Sequence, residues 1–95
     1  MGSRYLPDYV WLTCVAFFNG CCAYCGTSNQ RLTGDHLVAK SKGGLDKADN
    51  IVPSCEKCNN AKGDTEWRSF IMSLDNFNQA RMNRIYEWRR VARHI

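Results

Sequence analysis

Ninety-five residues and 10.9 kDa make room for one small domain. A hydrophobic share of 44% with 23% charged residues describes a globular chain and excludes wholesale disorder. No apolar run nears the ~20 residues of a membrane span, and no secretory leader is expected, so an intracellular, cytoplasmic chain is the expectation. The net charge of +4 is uneven: residues 1–64 carry seven basic and six acidic side chains, residues 65–95 six and three, and those six are all arginine. Such a tilt permits nucleic-acid binding without establishing it. A chain this short buries only roughly 60–65% of its unfolded surface, which makes a metal or disulfide staple expected.

Met1-Gly2-Ser3 reads in part as an expression remnant. Pro7 and Asp8 suit the first turn of a helix. Val10, Trp11, Cys14, Val15, Phe17 and Phe18 then recur near helical spacing, and Asn19-Gly20 stops them. Residues 31–39 read as a short strand, and Lys42-Gly43-Gly44 as a loop or turn. Asn50-Ile51-Val52 form a second extended segment, which Pro53 ends. A helix is expected from Glu56 to Ala61, stopped by Gly63. Thr65 is the expected cap of the next helix, whose Trp67, Phe70, Ile71 and Leu74 form an apolar stripe. Asp75 or Asn76 should cap a last helix running to the C-terminus. Its aromatic and aliphatic residues read as core rather than as a base-stacking platform.

The six cysteines are not spaced like a disulfide framework. Cys22-Ala-Tyr-Cys25 and Cys55-Glu-Lys-Cys58 are two Cys-x2-Cys knuckles, each presenting two thiolates on one tight turn. Two such turns make a tetrahedral four-sulfur site, and without signs of secretion zinc is expected in it. Four thiolates leave no open position, so the zinc is structural. Cys14 reads as core; Cys21 competes with Cys22 but spaces less well. The 29 residues between Cys25 and Cys55 exceed what a simple zinc ribbon needs.

That insertion carries the candidate chemistry. Asp35-His36 lies on or beside the first strand, Asn50 precedes the second, and Asn59 follows Cys58 on the next helix. The zinc site should draw Asp35, His36 and Asn59 into one small space. Asp35 and Asn59 offer hard oxygens that suit Mg²⁺ or Mn²⁺. His36 can serve as a general base near neutral pH.

The run Cys22-x2-Cys25, Asp35-His36, Gly43-Gly44-x5-Asn50-Ile51, Cys55-x2-Cys58-Asn59-x2-Lys62-Gly63 resembles the HNH endonucleases, the ββα-metal class with four-cysteine zinc. It spans residues 22–63. The resemblance implies a hairpin-plus-helix site in which His36 is the base, Asp35 a ligand of the catalytic metal, and Asn50 the brace of the intervening loop. Asn59 stands where many members carry a last histidine; in similar members an asparagine there holds the metal. The implied reaction is metal-dependent hydrolysis of DNA phosphodiesters, leaving 5′-phosphate and 3′-hydroxyl ends. Lys62 and Arg81, Arg84, Arg89, Arg90 and Arg93 are candidate phosphate contacts, with a solvated face as the alternative for each.

The expected architecture is α+β: a zinc-stapled ββα-metal core at 22–63, an N-terminal helical flank at 5–19 and C-terminal helices at 65–95, in one domain. DNA is the expected partner and a membrane is not. A homodimer through C-terminal aromatics and an origin in a phage or mobile element both fit. Two rivals stay open: a catalytically silent zinc module that binds DNA, and a zinc scaffold for a protein partner.

Overall fold

The computed structural model describes residues 5–95, so residues 1–4, with the Met1-Gly2-Ser3 stretch read above, lie outside the described chain. Six elements follow in order: α1 (Asp8–Phe17), β1 (Leu32–His36), β2 (Ile51–Cys55), α2 (Glu56–Lys62), α3 (Trp67–Ser73) and α4 (Gln79–Ala92). Single 3-10 turns at Lys40–Lys42 and Ala48–Asn50 interrupt the connection between the strands. The fold is α+β, a two-stranded antiparallel sheet surrounded by helices. No helix among the described residues is long and apolar enough to cross a membrane.

α1 opens after Pro7, whose fixed φ of −56° leads into the first turn. It ends before Asn19 and Gly20, both at positive φ. Val10, Trp11 and Cys14 are its buried face. β1 and β2 pair from Leu32 opposite Cys55 to His36 opposite Ile51. β2 runs through Pro53 rather than ending there. The Pro53 carbonyl points away from β1 and accepts from the Ala23 amide at 2.8 Å. The nitrogen of a strand residue shares the side of its carbonyl, so the ring's missing N–H removes no bond to β1.

Two helix caps also differ from the sequence reading. Glu66, not Thr65, caps α3, its carboxylate accepting from the Ser69 amide at 3.1 Å. Asn78, not Asp75 or Asn76, caps α4 by accepting from the Arg81 amide at 3.2 Å. α4 stops at Ala92, short of the C-terminus.

The helical flanks hold the outer side of the sheet. Trp67, Phe70, Ile71, Ile85 and Trp88 are buried, so the C-terminal aromatic stripe is core. The Trp88 indole N–H is shared between the carbonyls of Ala48 and Ile51, at 3.0 and 2.9 Å. That one side chain ties α4 to the start of β2. The Phe17 ring lies 5.3 Å from Trp88 and brings α1 to the same point.

The inter-strand loop is folded back tightly. Gly43 takes φ +90°, closing the first 3-10 turn. Gly44 is there for space: a Cβ would stand 1.7 Å from the Val38 carbonyl oxygen, whereas one on Gly43 would meet nothing. Gly44→Ala is therefore expected to lower stability by about 3 kcal/mol, the upper end of an overpacking cost. Gly43→Ala should lose only about 1–2 kcal/mol, for the left-handed backbone alone. Urea midpoints of the two variants check the order.

Candidate active site and metal centre

The Sγ atoms of Cys22, Cys25, Cys55 and Cys58 all lie within 4.8 Å of one another. A tetrahedron with zinc–sulfur bonds of ~2.3 Å has edges of about 3.8 Å, and Cys25 Sγ to Cys55 Sγ is 3.8 Å. Cys22 and Cys25 belong to the turn between α1 and β1; Cys55 ends β2 and caps α2, its sulfur accepting from the Cys58 amide. Burial raises Cys58, and the neighbouring thiols, Cys22 first, raise it further. Burial also raises Cys25. Burial pushes against Cys22 too, but the amides of Cys25, Cys55 and Tyr24 outweigh it and leave this thiol lowered. The thiolate form is favoured at Cys22 and disfavoured at Cys25 and Cys58. The donor set and spacing fit a structural zinc.

The two remaining cysteines stay out of the cluster. Cys14 is fully buried, its thiol pushed up to about 12 by burial. Its sulfur donates to the Ile51 carbonyl at 3.6 Å. Cys21 turns to the Asn19 carbonyl instead.

The strand pairing sets the cysteine cluster at one end of the hairpin and Asp35-His36 at the other. Asp35 is buried. Its Oδ2 accepts from the Tyr24 hydroxyl at 2.5 Å and pairs with the Lys62 ammonium at 3.3 Å. Burial raises the Asp35 carboxyl above its ordinary value despite the opposing pull of Tyr24 and Lys62. Tyr24, raised first by its own burial and then by the Asp35 charge, stays a phenol that donates. Lys62 is no surface residue. Its side chain is 0% exposed, and its Nζ also donates to the His36 carbonyl at 2.8 Å. It reaches back from the last turn of α2 to the sheet, so it does not lie on a solvated face, and its ammonium is spent on Asp35 and the His36 carbonyl.

Asn59 Nδ2 donates to Thr33 Oγ1 at 3.2 Å. Thr33 and Asp35 alternate onto one face of β1, so α2 lays Asn59 over the face that carries Asp35. Asn59 Oδ1 and Asp35 Oδ1 make no hydrogen bond among the described residues. As two hard oxygens they fit a divalent cation by donor chemistry.

Asn50 spans the loop. Its Oδ1 accepts from the Val38 amide at 2.9 Å, and its Nδ2 donates to the carbonyls of Val38 and Leu45, at 3.1 and 3.0 Å. Its main-chain carbonyl takes the Leu37 amide at 2.8 Å. The residues just after His36 are thereby fixed to the start of β2.

The His36 ring is about 10% exposed. The Tyr5 ring meets it edge-on at 4.5 Å, and its Nε2 lies 2.7 Å from Asp46 Oδ1. The bond to His36, with Lys40 adding to it, holds the Asp46 carboxyl below its ordinary range. Tyr24 and Asp46 were not singled out from the sequence. Tyr24 sits inside the first knuckle, and Asp46 follows Gly43-Gly44-Leu45, ten residues after the histidine it meets.

The arginines divide. Arg81 donates to the carbonyls of Tyr24 and Asn76, and Arg84 to that of Phe17. Both therefore tether α4 to other parts of the chain, and Arg84 is also exposed. Arg89, Arg90 and Arg93 line a shallow 340 Å³ depression with Asp49 and Tyr86, and Arg90 is paired with Glu87.

Residues 22–65 match the family model described as HNH endonuclease. The chain is also similar to "SPbeta prophage-derived putative HNH endonuclease YoqL" of Bacillus subtilis strain 168, 28% identical over 99 aligned positions covering 87% of this chain. The chain spans 41% of that relative's length. The resemblance read from the knuckles and the hairpin is thereby borne out: over residues 22–65 this chain carries the HNH endonuclease pattern.

Proposed function

We propose that the protein is a nuclease hydrolysing DNA phosphodiesters at the site built on Asp35, His36 and Asn59. The observation that carries this reading is local: a histidine at the end of a hairpin closed by four clustered cysteines, beside a buried carboxylate and an asparagine that each keep one side-chain oxygen unengaged among the described residues, inside a segment that matches a family of endonucleases. Asp35 and Asn59 would hold Mg²⁺ or Mn²⁺. A divalent cation bound there supplies Lewis-acid stabilisation of charge on the leaving oxygen. The chain's own residues do the rest. His36 takes the proton from the attacking water. Asn50 keeps the His36 loop from drifting, and Lys62 holds the His36 carbonyl from below. The four cysteines, with zinc, keep the hairpin ends and α2 in one piece.

The test is relaxation of supercoiled plasmid by zinc-loaded protein, with Mg²⁺ or Mn²⁺ and with neither. Metal-dependent nicking is expected, falling by about a hundredfold or more in His36→Ala, as removal of a general base does. A folded His36→Ala that nicks as fast as the parent overturns the assignment of the base. Retention of DNA without any cleavage overturns the enzyme reading in favour of a DNA-binding module.

A further inference from the structure

We propose that Asp46 is the positioning residue of the general base, holding the N–H of His36 on Nε2 so that Nδ1 takes the proton from water; this rests on the nuclease reading above. A neutral imidazole has one N–H donor and one lone pair. A carboxylate can only accept. With Asp46 Oδ1 at 2.7 Å from Nε2, the proton belongs on Nε2 and the lone pair on Nδ1. Nδ1 makes no hydrogen bond among the described residues, so it is the nitrogen left to act.

The acid is delivered rather than adventitious. Gly44 packs under the Val38 carbonyl, and Asn50 Nδ2 grips the carbonyl of Leu45, the residue before Asp46. Asn50 therefore positions both partners of the pair: His36 through Leu37 and Val38, and Asp46 through Leu45. The Tyr5 ring edge limits rotation of the imidazole, and Lys40 Nζ holds the other Asp46 oxygen at 3.4 Å. In the reaction, a water O–H bond breaks, its proton goes to Nδ1, and its oxygen forms the new bond to phosphorus. The bond to the leaving oxygen breaks, and solvent supplies that oxygen's proton. The imidazolium then stands against the Asp46 carboxylate, which lowers its energy without itself taking the proton.

The experiment pairs kinetics with spectroscopy on the zinc-loaded chain. In plasmid nicking, Asp46→Asn should lose about tenfold to a hundredfold in kcat, the usual effect of losing a group that orients a functional histidine, with KM unchanged. Asp46→Glu should recover part of it. The ¹⁵N shifts of His36 in the neutral ring should report the Nε2–H form in the parent and a mixture in Asp46→Asn. Asp46→Asn at the parental kcat beside an inactive His36→Ala overturns this inference while leaving the nuclease reading intact. A fully active His36→Ala removes both. Should no substrate be cut, an unchanged tautomer in Asp46→Asn still overturns the proposal, and a changed one supports it.

Discussion

Stripping the metal is expected to unfold the segment that carries the site. A chelator strong enough to take zinc from four thiolates should abolish the cooperative thermal transition of the chain and its near-ultraviolet dichroism, and returning Zn²⁺ should restore both. Structural zinc contributes an apparent ~10–16 kcal/mol in finger peptides, more than the entire stability of most small domains. Here the cluster joins the turn before β1 to the end of β2 and the start of α2. Without a cation, the same place holds four sulfurs within 4.8 Å. Two of those thiols, Cys25 and Cys58, are raised by burial, which disfavours their charged form until a cation is there to offset it. Cys58→Ser should reproduce the chelated state, whereas Cys21→Ser, outside the cluster, should melt like the parent. An unchanged melt after chelation would sink the structural-zinc assignment.

The second large effect is expected at Lys62. Lys62→Met removes the ammonium from a buried pair and leaves the Asp35 carboxylate facing only Tyr24, with the His36 carbonyl losing its donor. Breaking a buried pair from one side costs about 3–5 kcal/mol, against under about 0.5 kcal/mol for an ordinary surface lysine. The double variant Asp35→Asn with Lys62→Met should be less destabilised than the two single losses added together, because no lone charge is then left in the interior. Urea denaturation of the four proteins measures the cycle. A Lys62→Met midpoint equal to the parent would mean the side chain leaves the interior in solution and is available to solvent or phosphate after all.

Much of this was legible in the sequence because it is written in short-range spacing. Cys-x2-Cys turns, the Pro7-Asp8 start of α1, the Gly63 stop of α2 and the Trp67/Phe70/Ile71 stripe each depend on residues within a turn or two of one another. The contacts that escaped notice depend on distance along the chain. Tyr24 meets Asp35 across eleven residues, Asp46 meets His36 across ten, and Lys62 meets His36 across twenty-six. No periodicity records such contacts; they exist only once the hairpin has closed. The helix caps failed for another reason. By residue type Thr65, Asp75 and Asn76 are caps at least as good as Glu66 and Asn78, so type alone does not choose among neighbouring candidates. Pro53 misled because its ring stops a strand only when its nitrogen faces a neighbour.

That orientation of Pro53 has a consequence for behaviour between molecules. A two-stranded sheet exposes two flanks, and an unspent row of donors and acceptors on a flank invites another chain to add itself. Along the outer flank of β2 the Ile51 carbonyl is taken by the Trp88 indole and the Cys14 thiol, and the Pro53 carbonyl by the Ala23 amide, while Pro53 has no donor to offer. The strand most central to the site is thus closed to intermolecular β-pairing on that side, and the chain resists edge-to-edge aggregation there without spending a charged residue on it.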